Sequence, residues 1–323
     1  MFYSKGTNNG KTEVSPIDNG IDIALGSKKI TEMVKLELKE YPETLNLSLK
    51  TGNKSAIRAA FYSAAFLLQR ALADKLDVQP DEIEICEKID NQHDYPSIYL
   101  SDALPNGAGI VSYLYEDGKL EDLINSIINF DSFDANKTPK ENSFMQSIIS
   151  DDHRHNCLTA CQKCLLTYSN RGYHHIIDWR LGVGLLRLMM DEKYDFGFNK
   201  EKRKNYEEFS DWHEILSACS AKLNLESTSY GQSCWMINNE CTIIYHPLWN
   251  KGKVLETLDK HYTSLRMYNT FKLLRSDLTE DKDDVVASHS QPGVSYLNKI
   301  RRGNVIPTTS QENEHASDDD IEL

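Results

Sequence analysis

Residues 153–164 read His153-Arg154-His155-Asn156-Cys157-Leu158-Thr159-Ala160-Cys161-Gln162-Lys163-Cys164. Three of the chain's seven cysteines fall in this stretch, spaced Cys-x3-Cys-x2-Cys, with two histidines just ahead of them. Thiolates so spaced converge on one point when the backbone makes a tight knuckle, and a borderline-soft, four-coordinate ion such as zinc is the usual occupant. Three is an odd number for a disulfide framework. The stretch is therefore expected to be a structural zinc knuckle. Two other chemistries share its parts. A Cys-x2-Cys pair alone suits a thiol redox module using Cys161 and Cys164, and a zinc that keeps an open position suits a nuclease or hydrolase working through bound water. The thiolate-rich set favours the closed structural site over both.

Other stretches are weaker candidates. Leu104-Pro105-Asn106-Gly107-Ala108-Gly109 demands backbone freedom, including positive φ. It could cradle a phosphate ahead of a helix, but it lacks the Walker lysine and the Gly-x-Gly-x-x-Gly frame, so a structural turn is expected. Lys200-Glu201-Lys202-Arg203-Lys204 is the one dense basic cluster, read as a solvated helix edge. His246 follows an expected strand with no acid, serine or cysteine spaced to make a catalytic set, so it is read as a packed histidine. Cys86 is read as a packed thiol. Cys234 and Cys241 flank an expected hairpin and could face one another, reduced and buried. No catalytic residue is assigned.

These side chains need a frame. Alternating apolar residues Val34, Leu36, Leu38 and then Leu45, Leu47, Leu49, on either side of Tyr41-Pro42-Glu43, predict two half-buried strands. After Thr51-Gly52-Asn53, residues 54–76 predict the longest helix, with Ile57, Ala60, Phe61, Ala64, Ala65, Leu68, Leu72 and Leu76 on one stripe and Asp77 and Pro80 ending it. Strands are expected over 82–89 and 96–102, helical turns over 110–115 and 120–130, a polar loop over 131–143 and a short helical turn over 145–149. Asp178 stands as the N-cap of a helix that buries Leu181, Leu185, Leu186 and Met189. Further along, a helix is expected over 206–223, a hairpin over 235–245 with Asn238-Asn239 at its turn, and a helix over 254–262.

With 323 residues, 40% hydrophobic and 26% charged, the composition is that of an ordinary globular protein. No apolar run approaches a membrane span, and Met1-Phe2-Tyr3-Ser4-Lys5 does not begin a signal peptide, so a cytoplasmic protein with reduced cysteines is expected. The net charge is −13, and the eleven acids and four bases of residues 277–323 leave −7 there and −6 on the rest. A mildly acidic body is the wrong balance for broad phosphate contacts. Nucleic-acid contact is expected to be local, or supplied by a partner.

Taken together, Pro96-Ser97-Ile98-Tyr99-Leu100-Ser101-Asp102-Ala103-Leu104-Pro105-Asn106-Gly107-Ala108-Gly109, the Cys-x3-Cys-x2-Cys-Leu knuckle, and the following Tyr-x-Asn…His…Ile-Asp-Trp-Arg resemble the MrfA-like zinc-binding domain. That module ends superfamily-2 DNA helicases of the MrfA type and occurs in DrmB-like proteins of bacterial anti-phage defence. The resemblance covers residues 32–190. It implies metal ligands in the order Cys-x-Cys-x3-Cys-x2-Cys, whose last three fall on Cys157, Cys161 and Cys164 and whose first falls on His155. Imidazole is an accepted fourth donor in a Cys3His site, with His153 and His174 as the rivals. The family's Gly-Gly-Ala-Gly turn reads Asn106-Gly107-Ala108-Gly109 here. No Walker A or DExH-type sequence is present, so the resemblance implies an accessory module without the motor. Such a module would partner a helicase or nuclease of DNA repair or phage defence, with a structural Zn2+, possible DNA contact and no membrane. The expected architecture is α+β: a mixed sheet packed with helices, and the zinc knuckle between helices. Residues 1–27 would form a flexible arm, 28–195 the zinc-binding domain, 196–290 an appended helix and β-hairpin region, and 291–323 a disordered acidic tail.

Overall fold

A computed structural model describes residues 3–8, 11–16, 30–89, 94–128, 148, 151–199, 209–225, 234–237, 240–258, 264–275 and 285–286. The fold is α+β, with helices packed on small separate sheets. Among the described residues no helix is long and apolar enough to cross a membrane. The expectations for the loop at 131–143, the basic cluster at 200–204 and the tail from 291 fall outside the described residues, as does most of the turn at 145–149.

The centre is helix α1, Lys54–Leu76. It starts where the Asn53 side chain accepts from the Ala56 amide at 3.2 Å and stops where Asp77 turns left-handed at φ 55°. Burial is not confined to one stripe. Ala56, Ala59, Ala60, Ala64, Ala65, Ala71 and Ala73 are all buried, so neighbours press on the helix from several sides. On one side lies an antiparallel sheet of β3 (Met33–Leu36), β4 (Ile83–Ile89) and β5 (Pro96–Asp102) in the order β3-β5-β4. On another lie helices α2 (Lys119–Ile128) and α4 (Trp179–Met190), with the short α3 (Asp151–Asn156) between them in sequence. Gly182 of α4 permits the closest approach, since a Cβ there would sit 2.7 Å from the backbone carbon of Ser63.

A second sheet follows. Helix α5 (Phe209–Lys222) leads to β6 (Cys234–Ile237) and β7 (Glu240–Tyr245), the expected hairpin. Helix α6 (Lys251–Glu256) then crosses to β8 (Ser264–Asn269), which pairs in parallel with β7. Helix α7 (Thr270–Arg275) and β9 (Val285–Val286) complete the order β6-β7-β8-β9. Cys234 and Cys241 do face one another, with Sγ atoms 3.1 Å apart and Cys241 buried.

Three expectations are corrected. Residues 45–49 form no strand: Leu45 makes a single bridge to Trp249, although Leu45 and Leu47 are buried as their alternation implied. Their backbone is taken up locally and by the C-terminal region, as when the Asn46 amide donates to Leu248 O at 2.8 Å. Cys86 is exposed, because β4 is an edge strand and Cys86 shares its open face with Glu84. Residues 3–16 of the expected arm are paired, β1 (Tyr3–Asn8) running antiparallel to β2 (Lys11–Pro16). The sequence between those strands is Asn9-Gly10, the pair most typical of tight hairpins. At the boundary expected at 195/196, the Phe196 ring lies 5.0 Å from Tyr194 and 4.8 Å from His246.

Candidate metal centre

Helix α3 and the knuckle after it bring four side chains together. The ligand-capable atoms of His153, Cys157, Cys161 and Cys164 all lie within 4.8 Å of one another, and only Cys161 is more than slightly exposed. The helix explains the choice of histidine. His153 and Cys157 are four residues apart, and the Cys157 amide donates to His153 O at 2.8 Å, so one helical face carries both side chains. His155 stands two residues from Cys157 and therefore points elsewhere. Its side chain is 65% exposed, with Nε2 3.6 Å from Glu214 Oε1. The fourth member of the cluster is thus His153, where the sequence expectation placed His155. His174 is also outside the cluster, its Nε2 lying 2.9 Å from both Thr167 O and Asn170 Oδ1.

Two of the spacings match the edges of a tetrahedral site. Bonds of about 2.3 Å to sulfur and 2.0–2.1 Å to nitrogen place tetrahedral S–S edges at about 3.8 Å and S–N edges at about 3.6 Å. Cys157 Sγ lies 3.9 Å from Cys164 Sγ, and Cys161 Sγ lies 3.4 Å from His153 Nε2. The surroundings orient the donors as well. His153 Nδ1 is 2.8 Å from Ile148 O, which holds the proton on Nδ1 and leaves the Nε2 lone pair facing the cysteines. The Cys161 amide donates to Cys164 Sγ at 3.0 Å, and the Cys164 amide returns to Cys161 O at 3.1 Å, closing the knuckle. The Trp179 indole donates to Cys157 O at 3.1 Å, and Arg180 donates from Nη1 to the same oxygen at 2.7 Å. Arg180 Nη2 also reaches Arg154 O at 2.8 Å and Glu214 Oε2 at 2.9 Å.

The electrostatics ask for a cation. The hydrogen bond with Cys157 comes first among the influences that push the Cys164 thiol down to about 5, helped by amides of Cys161 and Leu165 and by His153. The same bond, followed by burial and the neighbouring cysteines, pushes Cys157 up. Three thiols this close, two of them buried, do not ionise together without a positive ion among them. The four side chains can hold a metal ion, and their chemistry is compatible with zinc.

The other candidates resolve as structure. Asn106, Gly107 and Gly109 do take positive φ, at 69°, 78° and 80°. The amides of this turn are occupied from within, since the buried Asp102 carboxylate accepts from Ala108, Ile110 and Val111 at 2.6, 3.2 and 2.9 Å. An internal carboxylate fills the place a phosphate would take. His246 packs against Phe196 and Trp249, with ring centroids 4.8 and 5.9 Å away, and its Nδ1 accepts from the Leu248 amide at 3.3 Å. Comparison with protein-family models, with curated proteins and with solved structures finds no match.

Proposed function

We propose that this chain is a zinc-stabilised accessory module that works through contacts, without turnover of its own, beside a DNA helicase or nuclease in bacterial DNA repair or anti-phage defence. The observation that carries the metal part is the closed donor set. Four protein donors, one nitrogen and three sulfurs, are enough to complete a tetrahedral shell, which would leave no coordination position for a reactive water. A hydrolytic zinc needs that position, so the geometry favours a structural ion over a catalytic one. The ion would link α3, the knuckle and the start of α4, and its binding energy, on the order of 10–16 kcal/mol in small structural sites, would be folding energy. The helicase or nuclease partner rests on the resemblance of residues 32–190 to the MrfA-like zinc-binding domain.

Metal analysis and X-ray absorption on the purified chain test this reading. The expected result is one zinc per chain, a shell of three sulfurs and one nitrogen, and no cleavage of DNA or ATP. Cys161→Ser and His153→Ala should lose zinc and soluble yield together, whereas His155→Ala should keep both. An oxygen ligand in the shell, or full zinc in both Cys161→Ser and His153→Ala, would overturn it.

A further inference from the structure

We propose that the loop after the last cysteine is a stacking shelf for single-stranded nucleic acid, with Tyr168 as the platform and Arg171 and Lys163 as phosphate contacts. This rests on the reading of the chain as a contact module, and names one of the contacts. Tyr168 is 83% exposed, more than any other large apolar side chain among the described residues. Its position is nonetheless fixed from below. The buried Asn170 side chain accepts from the Thr167 amide at 2.9 Å and donates to Leu165 O at 2.7 Å. Five residues on from Tyr168, Tyr173 turns inward and packs against Tyr62, ring centroids 4.4 Å apart. The frame thus sends one tyrosine into the core and holds the other in solvent.

The sequence that carries the shelf is locally basic. Residues 153–177 contain Arg154, Lys163 and Arg171 and no acid, within a protein of net charge −13. Zinc with three thiolates would add −1 and leave this stretch at +2, or at +1 once the neighbouring Asp152 is counted. The Arg171 guanidinium lies 5.1 Å from the Tyr168 ring centroid, with Nη1 3.5 Å from its hydroxyl. One cation covers only one face of a ring, and the other face is free to take a base. Lys163 has an ion pair with Asp152 at 3.7 Å, but both side chains are more than three-quarters exposed, so the pair yields readily to a phosphate.

An aromatic ring flanked by a few cations is how proteins hold unpaired bases without reading sequence. A duplex offers no free base face to such a ring, and two or three cations are too few for duplex binding by phosphates alone. A protein partner would look for an apolar core around the tyrosine, whereas the flanking Ser169 and Arg171 are exposed and polar.

The test is fluorescence anisotropy at low salt with the full zinc-loaded chain. The probes are labelled oligothymidylate and oligouridylate of about 20 nucleotides, with a duplex of equal length for comparison. Both single strands should bind more tightly than the duplex. Tyr168→Ala should weaken them at least about fivefold, the low end for one lost stacked base, while Tyr168→Phe stays within about twofold. The Lys163→Ala, Arg171→Ala double variant should also flatten the salt dependence by roughly 1.4 in log–log slope. Tyr115→Ala, at the exposed tyrosine outside the loop, should bind like the wild type. The shelf is overturned if the wild type ignores single strands, if Tyr168→Ala binds undiminished, or if Tyr115→Ala loses as much. Zinc measured on the same samples separates the two failures: a zinc-loaded chain that binds nothing sinks the shelf alone, and a chain without zinc sinks the metal reading.

Discussion

His246 follows β7 directly, half-buried with its ring against Phe196 and Trp249. Burial pushes its pKa down from 6.5 to about 3. Between those values the unfolded chain binds a proton that the folded chain refuses. Stability is therefore full above pH 6.5 and is lost as the pH falls toward 3, at up to about 1.4 kcal/mol per pH unit. His246→Asn keeps an acceptor near the position of Nδ1 and does not titrate. Chemical denaturation at pH 6.5 and below should show a shallower acid slope for the variant by up to that amount, and equal slopes would refute the account. The metal centre was less fully legible than this histidine at the level of single residues. The cysteine spacing announced the knuckle, and Cys157, Cys161 and Cys164 do converge. Matching positions to a Cys-x-Cys pattern selects His155, whereas the cluster contains His153. The signal that finds His153 was present as a four-residue step to Cys157, but it has meaning only once residues 151–156 are known to be a helix.

Gly182 sits where α4 crosses α1, and an added Cβ would come within 2.7 Å of Ser63 C and 2.9 Å of Ala64 N. Those are backbone atoms of a fully packed helix, so the helices themselves must part. Alanine would gain about 1 kcal/mol of helix propensity, but overpacking of this kind costs about 1–3 kcal/mol, and a backbone obstacle belongs at the upper end. Gly182→Ala should therefore lower the unfolding free energy by about 1–2 kcal/mol in a denaturant titration. Gly172→Ala is the control, since a Cβ there meets nothing within 4 Å and it should leave the midpoint unchanged. The elements were legible where local chemistry fixed them. Asn53 and Asp77 bound α1, Asp178 caps α4 by accepting from Leu181 at 3.3 Å, and alternation marked β3, β4 and β5. What alternation could not supply was a partner. Leu45 and Leu47 alternate as a strand does and are buried accordingly, yet only one bridge forms. Strand β8, whose Leu265 and Met267 are buried, alternates too briefly to stand out, and its parallel pairing to β7 is a tertiary fact.

The helices around the C-terminal sheet come well after the knuckle in sequence, yet they are tied to the segment that follows it. Glu214 of α5 meets Arg180 at 2.9 Å, and the Trp249 indole donates to Asp195 O at 3.2 Å. The clearest tie is Arg275 at the end of α7. Its guanidinium donates to His175 O at 3.2 Å and Ile177 O at 3.0 Å, and reaches Asp178 Oδ2 at 3.3 Å. Asp178 is buried at the start of α4, where burial raises its pKa and Arg275 is the largest influence opposing that rise. Removing the arginine leaves a buried carboxylate without this cation, a change that typically costs about 3–5 kcal/mol. Arg275→Ala should lower stability by about 3 kcal/mol, and Arg275→Lys should recover only part of it, because an ammonium cannot fork between several oxygens. The same contacts would tie unfolding of the C-terminal region to the proposed metal site. If the two halves share one cooperative transition, heating Arg275→Ala should release zinc, followed with a chromophoric chelator, at the same lowered temperature at which the helical signal is lost. Zinc release that stayed at the wild-type temperature while the helical signal fell earlier would mean that the knuckle holds without the C-terminal sheet.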